Sequence, residues 1–174
     1  IASLDLLKKQ GSWDTEWLPD QEEAMKLAAF VHLKNGYSYM TEAVEDLNLK
    51  REEYSVELCK PYLRPKGWFT RNGEFSERFQ IKGNLEQAIE ARMVFRTWSP
   101  GYFNGIYIND FLVFTKEGPK YDYFEHDIAL EGLYSLKQGE NILKTGKTPL
   151  YPEGMVHGVE VQWPGVMLLI KYEY

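Results

Sequence analysis

From Trp68 to the C-terminus, apolar and polar positions follow each other in short alternating runs, broken about every ten residues by Gly, Pro or Asn. Trp68-Phe69-Thr70 leads into Asn72-Gly73, a dipeptide that favours a two-residue hairpin turn, and Phe75, Phe79 and Ile81 follow it. Met93, Val94 and Phe95 form a run ended by Ser99-Pro100-Gly101. Ile106 to Ile108 and Phe111 to Phe114 then flank Asn109-Asp110, a pair that tolerates positive φ, and this predicts a second hairpin. Tyr121 to Leu130 alternates, with Phe124, Ile128 and Leu130 on one face and Tyr121, Tyr123, Glu125 and Asp127 on the other. Leu136 to Ile142 turns and resumes, and Val156 to Tyr172 makes two strands bent at Trp163-Pro164-Gly165, because Pro cannot sit inside a paired central strand. About eight short strands at this spacing predict a mainly β chain folded as an antiparallel β-sandwich or jelly roll.

The first 60 residues read differently. Asp20 stands as an acidic N-cap with Glu23 three residues on, and Ala24, Leu27, Ala28 and Val31 recur with helical spacing until Asn35-Gly36. This predicts a helix of about four turns, with a second starting at Thr41 and running to Leu47 or Leu49. Tyr54, Val56 and Leu58 alternate as a strand. Pro61 and Pro65 mark a boundary, so the expected organisation is a helical N-terminal appendage over residues 1–60 and a β-sandwich over residues 61–174. Trp13 and Trp17 are expected to anchor the appendage to the body, and Leu85 to Ala91 to make a connector with a single helical turn.

Composition narrows the partners. A chain of 174 residues, 44% hydrophobic, is long enough for a real core. Its net charge of −6 argues against a nucleic-acid partner, which needs a basic face. Aromatic residues make up 15%, more than a β-core of this size needs, so some rings are expected to face solvent or ligand. Cys59 is the single cysteine and excludes an internal disulfide, which suits the cytoplasm and exported proteins alike. No apolar run reaches the ~20 residues that span a bilayer, so no membrane partner is expected. The chain begins at Ile1 without Met, and the expectation is a mature, trimmed or excised piece of a longer protein, with a catalytic domain elsewhere in it.

The order Tyr107-Ile108-Asn109-Asp110, the acidic-aromatic strand Tyr121 to Leu130, then Leu136-Lys137-Gln138-Gly139-Glu140-Asn141-Ile142 resembles the galactose-binding-domain-like jelly rolls. Those domains write the hairpin with Asn-Gly and follow it with a strand and a Leu-Lys-x-Gly-Glu-Asn turn; here Asp110 stands where Gly is usual. The likeness covers at most residues 68–174. It implies a binding module or structural spacer attached to glycan-active proteins, and with it an extracellular or periplasmic location.

Within that frame the loop Thr97 to Gly105 carries the candidate chemistry. An aromatic ring stacks on the C–H face of a sugar, while Asn and Arg offer planar polar edges to its hydroxyls. Trp98, Tyr102 and Asn104 in this loop, with Trp68, Arg71 and Asn72 in another, are the candidate carbohydrate contacts; the competing reading has these rings cover the ends of the core. His126 sits between Glu125 and Asp127, but strand alternation puts it with Phe124 and Ile128, as a satisfied core histidine. His157 shares its face with Val159 and Val161 and reads the same way, while His32 lies far from both in sequence. Glu125 and Glu160 are the pair weighed for glycoside hydrolysis. Calcium would suit acidic loops and backbone carbonyls, yet no EF-hand-like spacing is present, and no cofactor is expected. Gly146 to Thr148 lacks the upstream glycines of a phosphate loop, and Cys59 has no flanking base. The resulting expectation is a non-catalytic carbohydrate-binding or accessory domain of a larger glycan-processing protein. The alternatives are a hydrolase or lyase with an acidic site of its own, and a protein-protein spacer.

Overall fold

A computed structural model describes residues 2–5, 10–59, 75–102, 105–115, 117–145, 160–162 and 165–174. The N-terminal part contains strands and not the expected helices. β1 (Ala2–Asp5) pairs with β2 (Gln10–Trp13); β3 (Met25–Leu27) pairs with β6 (Val44–Leu47); and β4 (Phe30–His32) pairs with β5 (Ser38–Met40). The helix predicted over Asp20 to Asn35 and the one predicted from Thr41 are therefore both replaced by ribbons. Asn35-Gly36, which resembles a helix stop, is instead a hairpin turn, with Gly36 at φ 88 and the Leu33 N–H donating to Tyr37 O at 2.8 Å. The competing signal is the β-forming pair of runs Phe30-Val31-His32 and Tyr37-Ser38-Tyr39 on either side of that turn. A short helix without a covered face is marginal, whereas the hairpin satisfies its backbone groups at once. Thr41 closes the ribbon rather than capping a helix: its N–H donates to Ala29 O and its Oγ1 accepts from the Ala29 N–H, both at 2.9 Å.

The remaining strands form two antiparallel sheets. β7 (Tyr54–Leu58), β8 (Phe75–Ile81), β9 (Ala88–Trp98), β10 (Ile106–Ile108), β11 (Phe111–Phe114), β12 (Tyr123–Ala129), β13 (Gly139–Thr145), β14 (Glu160–Val161) and β15 (Met167–Glu173) assort into the orders β11-β10-β13-β8 and β12-β9-β15-β7, with β14 also on β9. The expected helical turn in the connector is a 3-10 turn over Leu85–Gln87, capped by the Asn84 side chain, which accepts from the Glu86 N–H. Alternation drives the sandwich. Phe79, Ile81, Ile106, Ile108 and Leu143 project from the first sheet, and Ala91, Met93, Phe95, Leu168 and Ile170 from the second, into one buried cluster. Phe95 and Phe114 meet edge to face across the interface at 5.5 Å.

One edge of the sandwich is stapled shut. Glu57 of β7 accepts the N–H groups of Lys82 and Gly83 at 2.9 and 3.0 Å, and the Tyr172 hydroxyl at 2.6 Å. A Cβ on Gly83 would lie 2.3 Å from the Tyr172 ring, so only glycine permits this approach. The N-terminal segment lies against the outer side of the second sheet. Trp17 packs under the Arg92 guanidinium at 4.6 Å and the Lys171 ammonium at 4.3 Å. Lys171, buried to 6% exposure, is neutralised by Glu16 at 2.6 Å and Glu90 at 3.5 Å. Trp17 is the anchor expected of this region, while Trp13 is exposed.

The predicted Asn109-Asp110 hairpin is present, with both residues at positive φ (49 and 72). Beneath it, two amides form a closed set of hydrogen bonds. Asn141, fully buried, accepts through Oδ1 from Asn109 Nδ2 (2.6 Å) and the Lys137 N–H (2.9 Å), and donates to Lys137 O (2.7 Å) and Gly139 O (2.9 Å). Asn109 also donates to Ser135 O at 2.9 Å and accepts from the Ile142 N–H at 3.0 Å. Replacing Asn141 by Ala would strand several of these groups in the core. Loss of roughly 3 kcal/mol is expected, read as a fall in urea midpoint at unchanged slope; a loss under about 0.5 kcal/mol would refute this account of the turn.

Candidate functional site

Trp98 is the last residue of β9 rather than a loop residue, and strand parity turns it to the outer face of the second sheet. Its register partners are Tyr123 on one side and Glu160 on the other. The two rings meet at 4.7 Å and 65°, and the Arg96 guanidinium sits over Tyr123 at 4.7 Å. Tyr123 is 47% exposed and Trp98 half-buried, so the expected ring is neither sealed in the core nor fully free. Glu125 approaches Arg96 at 3.9 Å, and Asp127 pairs with Arg92 at 3.2 Å further along the same face.

Two loops brace this platform. The Ser99 N–H donates to Asp122 O at 2.9 Å, the Tyr121 N–H donates to Ser99 Oγ at 2.9 Å, and the Gly101 N–H donates to Pro119 O at 3.0 Å. Ser99 and Tyr121 both occupy the left-handed region, with φ 55 and 59, which costs energy for a side chain of either kind and concentrates at ligand sites. A Cβ on Gly101 would lie 2.9 Å from Lys120 and 3.1 Å from Gly118 O, so the loops close tightly.

On the opposite face, His126 is buried as expected. It stacks on Phe95 at 4.5 Å, meets Phe114 at 4.9 Å, and shares a hydrogen bond with Thr97 Oγ1 at 2.8 Å. Glu125 and Asp127 point away from it, and no group of three or more His, Cys, Asp or Glu among the described residues could hold a metal ion. Cys59 is buried as well, and burial, helped by the Glu57 charge, pushes its thiol up and away from reactivity.

Of the other candidate contacts, Trp68, Arg71, Asn72 and Asn104 lie outside the described residues, as do His157 and Gly146 to Thr148. Tyr102 closes a 3-10 turn over Pro100–Tyr102. Sequence reasoning missed Arg96 as a member of the site, and although it placed Tyr123 on the outer face it did not join it to Trp98. Alternation was a sufficient signal for the face; the pairing of β12 with β9, which brings the rings together, is a long-range register. Glu125 and Glu160 both stand on this face, on opposite sides of β9.

No family model matches the chain, and no curated protein does. Among solved structures it is similar to a β-porphyranase of glycoside hydrolase family 86 from the human gut bacterium Bacteroides plebeius, at 15% identity and a TM-score of 0.42. The alignment covers 87% of this chain and 29% of that one, so the chain spans less than a third of the enzyme's length. A likeness at that level decides neither the fold family nor the activity.

Burial lowers the His126 pKa from 6.5 to about 4. Between these values the unfolded chain takes up a proton that the folded chain refuses, so stability falls as pH drops from about 6.5 towards 4. The expected cost at pH 4.5 is on the order of 2–3 kcal/mol. In His126→Gln, which keeps a polar partner for Thr97, that part of the pH dependence disappears from urea midpoints; an unchanged pH profile would show that His126 is protonated in the fold.

Proposed function

We propose that this chain is a non-catalytic carbohydrate-binding or accessory domain of a larger glycan-processing protein, exported from the cytoplasm, and that Trp98, Tyr123 and Arg96 form its binding face. The observation that carries the reading is an outward ring pair held by strained, cross-braced loops, with a guanidinium and a carboxylate beside it. A sugar offers a C–H face to a ring and hydroxyls to planar polar groups, and Arg96 and Glu125 supply the donor and the acceptor. The likeness of the Leu136 to Ile142 turn to galactose-binding-like jelly rolls supports the same class, with Tyr102 and Asn104 adjoining the face in sequence. The net charge of −6 favours a neutral ligand. No helix among the described residues is long and apolar enough to cross a membrane.

The catalytic alternative rests on Glu125 and Glu160. They lie two strand spacings apart with a two-residue offset, which places their backbones roughly 12 Å from each other. Working carboxyl pairs stand about 5–9.5 Å apart, a separation that side chains on such backbones can reach, but Glu125 is an exposed partner of Arg96, which favours the binding reading.

Affinity electrophoresis through neutral polysaccharides tests the reading. Trp98→Ala and Tyr123→Ala are each expected to weaken retention about fivefold or more with circular dichroism unchanged. A wild-type chain that no glycan retards would sink the proposal in favour of a spacer. Polysaccharide turnover that Glu125→Gln abolishes would establish an enzyme instead.

A further inference from the structure

The edge of the sandwich opposite the Glu57 staple is open. β11 and β12 are the terminal strands of opposite sheets, and a cleft of about 250 Å³ lies between them. Val113, Phe114, Ile128 and Leu130, all half-buried or buried, supply the apolar part of its lining, and polar atoms make up the larger share. At its mouth stands Tyr134, 63% exposed, with its ring set edge to face against Phe111 at 5.4 Å and 76°. Two exposed carboxylates border it, Glu117 from the segment after β11 and Glu131 from the segment after β12. The described residues that line it include no Lys, Arg or His.

We propose that this cleft is a second glycan site, separate from the Trp98 platform, which takes a single terminal pyranose, neutral or amino-bearing, and rejects sulfated and uronic ones. This rests on the reading of the chain as a glycan binder. The volume is below the ~300–1,000 Å³ of pockets that take drug-sized ligands, which suits one ring rather than an oligosaccharide. The exposed Tyr134 ring matches the C–H face of a pyranose, and the mixed lining of polar and apolar atoms suits its hydroxyls as well. Ionised carboxylates only accept hydrogen bonds, so each takes hydroxyl or ammonium donors from the sugar, and such charge-assisted bonds are the stronger kind. An anionic substituent would meet two like charges with no cation among the described lining residues to offset them. The platform differs in both respects, being an open sheet face with a guanidinium.

Saturation-transfer NMR and calorimetry on the whole chain distinguish the two sites, with methyl β-galactoside, glucosamine and galactose 6-sulfate as probes. Glucosamine is expected to bind more tightly than the galactoside, and galactose 6-sulfate not detectably. Tyr134→Ala should weaken the first two about fivefold or more. The double variant Glu117→Gln with Glu131→Gln should erase the preference for glucosamine. Tyr134, Glu117 and Glu131 are exposed, and circular dichroism of each variant verifies that it folds. The proposal is overturned if the sulfated sugar binds as well as the neutral one, or if monosaccharide binding follows Trp98 and ignores Tyr134. Polysaccharide retention without any monosaccharide binding would remove the cleft and leave the platform reading intact. Failure of both assays would remove both.

Discussion

A buried amide, Asn141, and a half-buried one, Asn109, hold the first sheet in shape. Asn109 and Asn141 bond to each other, and the rest of their hydrogen-bonding capacity goes to backbone groups of Ser135, Lys137, Gly139 and Ile142. The three bonds of Asn109 join distant parts of the chain, the β10–β11 hairpin with β13 and with the loop between β12 and β13, while those of Asn141 to Lys137 and Gly139 close the turn before β13. In a low-dielectric interior such a network stabilises only when it is complete, because one missing partner leaves a desolvated polar group. The consequence reaches the surface. The loop that Asn109 grips at Ser135 also carries Tyr134, whose ring packs against Phe111 of β11.

The second sheet is organised by β9, whose 11 residues pair with β12 on one side and with β14 and β15 on the other. Its inward residues build the core, and its outward residues are divided between two fates. Arg92 packs against Trp17 of the N-terminal segment, while Arg96 is exposed and Trp98 half-buried. The N-terminal segment thus covers one part of this face among the described residues. Its hold is electrostatic as well as apolar: Arg51 reaches Asp20 and the carbonyl oxygens of Thr15 and Leu18, and the Asp20 N–H extends the ladder onto Val56 O at 2.9 Å.

Local chemistry was legible in the sequence, and long-range partnership was not. Asn109-Asp110 announces its turn because few residues tolerate positive φ in succession, and the turn is there. His126 could be assigned to the core from parity alone, since alternation with Phe124 and Ile128 allows no other face. Phe30-Val31-His32 went the other way: its apolar neighbours satisfy a helical period as well as a strand, and only the match with Tyr37-Ser38-Tyr39 across Asn35-Gly36 breaks the tie. The Trp98–Tyr123 contact joins residues 25 positions apart through a strand register, and the cleft exists because β11 and β12 end opposite sheets. Neither strand order nor register is encoded in any window of neighbouring residues.

The charge pattern binds these sites into one argument. An acidic protein repels anions at long range, and on the platform the Arg96 guanidinium lies over Tyr123 and is already close to Glu125. A polyanionic ligand would have to displace that carboxylate and then work against the net charge. A neutral polymer meets no such barrier, and its rings need only shape and apolar area from Trp98 and Tyr123. In the cleft the same selection would be sharper, because Glu117 and Glu131 both line a small volume. Affinity in both places would come from stacking and from hydroxyl donors, and selectivity from the charges that surround them.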